Sequence, residues 1–121
     1  MKKLYLLFLL VFILVGCGAS SVITPLQAQK MMEEDSSIVL VDVRTYEEYV
    51  AEHIPRAILV PLTTLEASAA EKMPDKEITY IVYCRSGNRS ATAVAELKEM
   101  GYKNVFDLGG IIDWPYETIK G

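Results

Sequence analysis

Ile78-Thr79-Tyr80-Ile81-Val82-Tyr83-Cys84-Arg85-Ser86-Gly87-Asn88-Arg89 passes from an apolar run into a polar turn, and the fold follows from how it is read. Ile78 to Tyr83 is too short for a typical helix and has the β-branched and aromatic content of a strand buried on both faces. Gly87 permits a sharp turn. Arg89 to Met100 then carries Ala91, Val94, Ala95 and Leu97 at helical spacing, and Gly101 ends the segment. A buried strand feeding a helix through a short loop is half of a crossover unit.

The same alternation continues on either side. Thr24-Pro25-Leu26-Gln27 combines an N-cap Thr, a Pro at the first helical position and a Gln three residues after the cap, which predicts a helix through about Glu34. Ser37 to Val43 reads as a buried strand. Thr45-Tyr46-Glu47-Glu48 is a second capping box, and its helix must stop by Ile54 because Pro55 follows. Ala57 to Val60 is a short strand closed by Pro61, Leu62 to Lys72 is helical in composition, and Met73 to Lys76 is a turn. Downstream, Asn104 to Leu108 is a last strand, followed by Gly109-Gly110 and a helical segment around Trp114. Strands alternating with helices predict an α/β fold with a mainly parallel sheet covered on both faces.

The chain has 121 residues, 51% hydrophobic and 23% charged, which suits one domain and excludes a two-domain enzyme. Lys2 and Lys3, the apolar run Leu4 to Val15 and the exit Leu14-Val15-Gly16-Cys17 read as an export signal. Twelve apolar residues are short of the ~20 that a membrane-spanning helix needs. The pattern resembles a bacterial lipoprotein signal, which implies cleavage before Cys17 and a lipid on its thiol. Residues 1–16 are then the signal, 17–23 the lipidated Cys and a short tether, and 24–121 the domain. The expected location is extracytoplasmic, anchored to the cell membrane or an outer membrane.

Loss of the first sixteen residues leaves 105 of 121 and moves the net charge from −4 to −6, because Lys2 and Lys3 go. An acidic body with no Lys/Arg cluster argues against nucleic acid as a partner. With Cys17 lipidated, Cys84 is the one thiol left and no internal disulfide can form.

In open α/β sheets ligands bind beyond the carboxyl ends of the strands, and Cys84 stands there. A thiol of pKa near 8.5 is ionised only to a few per cent at neutral pH; a helix N-terminus and neighbouring cations lower that pKa. The loop offers inward-pointing amides, the helix dipole, Arg85 and Arg89. The competing reading is that Cys84 is a small buried hydrophobe, the commoner fate of a lone Cys. The combination of Gly87, two arginines and a helix start favours a reactive thiolate.

Taken together, several segments in order resemble a single-domain rhodanese over roughly Thr24 to Trp114. They are Val41-Asp42-Val43-Arg44, Glu47 with Tyr49, His53-Ile54-Pro55-Arg56-Ala57, Cys84-Arg85-Ser86-Gly87-Asn88-Arg89-Ser90, Gly101-Tyr102, Leu108-Gly109-Gly110 and Trp114. The resemblance implies sulfur transfer: Cys84 takes the outer sulfur of an anionic donor such as thiosulfate, becomes a persulfide, and hands that sulfur to cyanide or a thiol, including a protein thiol. It also implies that Cys84 to Arg89 cradle the sulfur, with Arg85, Ser86, Gly87, Asn88 and Arg89 as the substrate loop. Phosphatases and arsenate reductases of related fold have one more residue between Cys and Arg; four lie between Cys84 and Arg89, which suits a single sulfur. No metal or organic cofactor is expected, and the protein is expected to be a monomer. The alternatives are a persulfide relay with a protein partner and a non-catalytic binding domain.

Asp42 and Arg44 close the first strand and are expected to support the site structurally, as a strand-end pair. His53 is read as a hydrogen-bonded loop residue, since a thiolate already formed needs no base. The family usually has Gly where Glu52 and Arg56 stand, which puts the turn there in question. Gly109-Gly110 is expected to turn tightly beside the loop, Trp114 to lie in the core, and Glu33-Glu34-Asp35 and Glu47-Glu48 to be solvated helix surface.

Overall fold

The computed structural model describes residues 21–121; the expected export signal, Cys17 and the start of the expected tether lie outside the described residues. Among the described residues four helices and four strands alternate: α1 (Pro25–Glu34), β1 (Val39–Asp42), α2 (Tyr46–Ala51), β2 (Ile58–Leu59), α3 (Leu65–Lys72), β3 (Thr79–Cys84), α4 (Asn88–Glu99) and β4 (Asn104–Gly110). The strands form one parallel sheet in the order β2-β1-β3-β4, so β3, which ends in Cys84, is central.

Both capping boxes form. Thr24 Oγ1 accepts the Gln27 amide while the Gln27 side chain accepts from Thr24 N, and Thr45 and Glu48 do the same at the head of α2. The segment expected as one helix from Leu62 is a 3-10 turn at Leu62–Thr64 leading into α3. The last helical segment is a single 3-10 turn, Ile111–Asp113, with Trp114 as its C-cap.

Strand periodicity sorts the core into two layers. Tyr80, Val82 and Cys84 face α3 and α4 and pack with Val41, Leu65, Ala93, Leu97 and Tyr102. Ile81 and Tyr83 face α1 and pack with Ala28, Met32, Leu40, Ile54 and Leu108. The parity of β3 therefore aims the Cys84 side chain toward α4, whose first turn starts four residues later.

Three expectations need correction. Ser21 to Ile23, placed in the tether, belong to the fold: Ile23 N donates to Asp107 O at 3.0 Å and Asp107 N donates to Ser21 O at 2.7 Å, covering the outer edge of β4. This edge would otherwise present unpaired backbone groups. β4 does not turn at Leu108 but continues through Gly110, with Tyr83 opposite Gly109 and Cys84 opposite Gly110 after a register shift. Trp114 is half-buried on the rim of the α1 layer, because its indole N–H is drawn to the Glu117 carbonyl at 3.1 Å and its ring edge meets Tyr116.

The two departures from the family's glycines have different outcomes. Glu52 is extended (φ −169°), where any residue fits. Arg56 has φ 74°, with Pro55 before it and the Ala57 amide donating to Ile54 O at 3.1 Å, the marks of a type II turn. A side chain in that conformation carries strain of about 1–2 kcal/mol that glycine avoids.

Candidate active site

Cys84 is the last residue of β3, 1% exposed, and a free thiol. It is not sealed in hydrocarbon. Gly87, at φ 112°, reverses the chain so that its own N–H points back and donates to Cys84 Sγ at 2.9 Å. A left-handed φ is what glycine supplies without steric cost, and Gly87 is also the N-cap of α4, so the sulfur lies against the positive end of a 12-residue helix. Burial pushes the thiol pKa up. The hydroxyl and amide of Ser90, with the amides of Gly87 and Ser86, more than offset this and hold it below its ordinary value.

Ser90 is a participant that sequence reading passed over, although it ended the quoted loop motif. It is fully buried in the first turn of α4, and its Oγ donates to the Gly87 carbonyl at 3.1 Å; by rotating its one proton, the same hydroxyl can serve the sulfur.

The loop keeps its shape because β4 runs directly beneath it. A Cβ on Gly110 would lie 2.3 Å from the Arg85 carbonyl oxygen and 2.7 Å from Ser86 Cα. Gly109 differs: its φ is +89° and the space around it is open. The expected tight turn is thus a close approach of two backbones at Gly110 and a left-handed residue at Gly109.

The arginines divide. Arg89 donates to both carboxylate oxygens of Glu48, at 2.7 and 3.0 Å, and that bidentate pair with the Thr45 hydrogen bonds holds the Glu48 carboxyl down at about 2. Glu48 is therefore not the solvated surface residue expected, and Arg89 brings the loop a charge already shared with a carboxylate. Glu47, in contrast, is exposed as anticipated. Arg85 is exposed, and its guanidinium makes no hydrogen bond or ion pair among the described residues. Ser86 and Asn88 are also exposed, with backbone rather than side chain turned to the sulfur in the case of Ser86.

Asp42 and Arg44 reach the same end of the sheet but the opposite face. Arg44 Nε donates to Asp42 Oδ1 at 3.0 Å, its Nη2 to Oδ2 at 2.7 Å and to the Glu52 carbonyl at 2.6 Å. Tyr83 OH donates to Asp42 Oδ2 at 2.7 Å and accepts the Ile54 amide at 3.1 Å. The pair thus ties β1, β3 and the 52–54 loop together on the α1 side, one residue out of phase with Cys84. His53 is buried, stacked on Tyr49, and its Nδ1 donates to Tyr49 O at 2.9 Å, a hydrogen-bonded loop residue as read from sequence.

Beside the loop lies a cleft of about 450 Å³ between α2 and residues 111–118, lined by Arg85, Glu48 and Glu52 on one side and Ile111, Ile112, Trp114 and Tyr116 on the other. Ile112 N donates to the Arg85 carbonyl at 3.3 Å, so this wall is joined to the loop itself.

The chain that carries this loop is similar to known proteins. The thiosulfate sulfurtransferase PspE of Escherichia coli (strain K12) is 41% identical over 81 residues, covering 67% of this chain and 78% of that protein. The adenylyltransferase and sulfurtransferase uba4 of Ogataea parapolymorpha is 41% identical over 76 residues, which are 62% of this chain and 19% of that much longer protein. A solved rhodanese with anions from E. coli superposes with a TM-score of 0.65 at 39% identity, covering 69% of this chain and 99% of that one. The family model described as a rhodanese-like domain matches residues 24–116, and with the parallel sheet and the Cys84 loop this establishes that the chain belongs to the rhodanese-like family.

Proposed function

We propose that this chain is a thiosulfate-type sulfurtransferase in which Cys84 carries the transferred sulfur as a persulfide. The observation that supports it most is the Gly87 amide 2.9 Å from Cys84 Sγ at the head of α4. In the first half-reaction the thiolate attacks the outer sulfur of thiosulfate; an Sγ–S bond forms, the donor's S–S bond breaks, and sulfite leaves with the electron pair. In the second, cyanide or a thiolate attacks the outer sulfur and the Cys84 thiolate is regenerated. Fixed amides favour the anionic sulfur throughout, as an oxyanion hole favours oxygen.

A dianionic donor approaching a thiolate needs compensating charge, and a cation at about 4 Å supplies roughly 4 kcal/mol at an effective dielectric near 20. Because Arg89 is paired with Glu48, this falls mainly to Arg85. Arg85→Ala is expected to raise KM for thiosulfate about tenfold with kcat little changed. An unchanged KM in a thiosulfate:cyanide assay would show that the side chain takes no part.

The reaction is proposed for a monomer held at a membrane through lipidated Cys17, on its extracytoplasmic side. Cys17→Ala is expected to move the protein from the membrane to the soluble fraction; continued sedimentation with membranes would exclude the lipid anchor.

A further inference from the structure

A second hollow, of about 270 Å³, lies on the α1 side of the sheet. Its floor is Met32 of α1 with Ile54 and Pro55 from the turn before β2, and Trp114 and Tyr116 close one side. The two rings meet edge to face with centroids 4.9 Å apart. Cys84 points into the other layer, toward α4, so sulfur transfer makes no use of this hollow.

Charges of both signs stand around it: Arg56 on one hand, Glu33 and Glu117 on the other. None of these three side chains has an ion pair or hydrogen bond among the described residues, whereas Arg44 and Arg89 each have a carboxylate. Arg56 is also held there under strain. Its φ of 74° suits glycine, which would close the same turn without a steric penalty. Backbone strain of this kind collects at ligand sites, where the side chain it carries has a task.

An apolar floor, an aromatic corner and unpaired charges of both signs are the complement of a small zwitterion with an apolar side chain. We propose that this hollow binds a free α-amino acid of that kind. The carboxylate meets Arg56, the ammonium lies toward Glu33 and Glu117 beside the aromatic corner, and the side chain rests on Met32, Ile54 and Pro55. A guanidinium holds a carboxylate through two parallel hydrogen bonds, and an ammonium gains from carboxylates and from an aromatic face. A ligand of one sign alone leaves the opposite charge of the hollow unmet, and this sets the zwitterion apart from its close relatives. The inference goes beyond sulfur transfer and does not depend on Cys84.

Trp114 is the only tryptophan in the chain, so its fluorescence reports on the hollow directly. The full chain is titrated with L-leucine, with isoamylamine, which lacks the carboxylate, and with isocaproate, which lacks the ammonium; equilibrium dialysis with labelled leucine runs in parallel. Leucine is expected to bind saturably with a Kd of about 1 mM, the range open to so small a ligand, and each analogue at least about tenfold more weakly. Arg56→Gly removes the guanidinium and relaxes the turn. It should melt a few degrees above the parent chain yet bind leucine about tenfold more weakly, no better than isoamylamine, with thiosulfate:cyanide turnover within twofold. No saturable binding up to about 20 mM leucine in either measurement, equal binding of leucine and its two analogues, or undiminished binding by Arg56→Gly would overturn the inference and leave sulfur transfer standing. A chain that binds leucine as expected but loads no sulfur would overturn the sulfurtransferase reading and leave this one.

Discussion

Cys84→Ser is expected to abolish sulfur transfer, by more than about a thousandfold, while leaving the fold intact. Oxygen cannot take up the outer sulfur of thiosulfate as thiolate sulfur does, and removing a nucleophile typically costs as much as dismantling the whole site. The change is small where it is made. A hydroxyl is slightly smaller than a thiol, and the Gly87 amide 2.9 Å from Sγ remains a donor to it, so no buried polar group is orphaned. Thermal unfolding should move by only a few degrees. Turnover in the thiosulfate:cyanide assay at more than a few per cent of the parent chain would mean that the chemistry lies elsewhere.

Gly110→Ala should be almost as damaging, for a purely steric reason. Gly110 has φ −110° and ψ 141°, a conformation open to every residue, so its backbone angles do not call for glycine. Space does: the added methyl would fall 2.3 Å from the Arg85 carbonyl and 2.9 Å from its carbonyl carbon, with no flexible side chain to yield. Either β4 or the sulfur loop must shift. Overpacking of this kind costs about 1–3 kcal/mol of stability, and an ångström-scale displacement of reacting groups costs on the order of a hundredfold in rate. Gly109→Ala supplies the contrast. Nothing lies within 4 Å of its Cβ position, so it meets only the strain of φ +89°, about 1–2 kcal/mol, and should keep most of its activity. Comparable rate losses in the two variants would show that backbone contact with the loop is not what Gly110 provides.

The sequence was most legible where interactions are local. The two capping boxes, the β3 run into Cys84, the turn at Gly87 and the helix to Gly101 are set by residues within four positions of one another, and they form as expected. What stayed hidden was long-range. The Glu48–Arg89 pair joins residues 41 apart, and nothing in Thr45-Tyr46-Glu47-Glu48 tells which of its two glutamates meets a partner and which meets water. The opposite facing of Asp42 and Cys84 needed the register of β1 against β3. Trp114 is expected in the core, yet an indole N–H that must find an acceptor keeps it at the rim. Ser90 did carry a readable signal: a serine in the first turn of a helix beginning at a cysteine loop has its hydroxyl and amide near the loop's centre.

The same distinction applies to charge. Arg85 and Arg89 are equivalent along the chain, and the fold separates them by giving one a carboxylate and leaving the other exposed beside the cleft between α2 and residues 111–118. Depression of the thiol pKa accordingly rests on the peptide amides and the Ser90 hydroxyl, more than on the guanidinium groups that the sequence brings to attention.

The central claim is tested most directly by intact-mass spectrometry of the purified chain after incubation with thiosulfate and removal of excess donor. The account predicts a gain of ~32 Da, one sulfur atom, mapped to the peptide carrying Cys84 and discharged by cyanide. An unshifted mass under conditions where sulfite is released, or a sulfur atom found on any other residue, would contradict it.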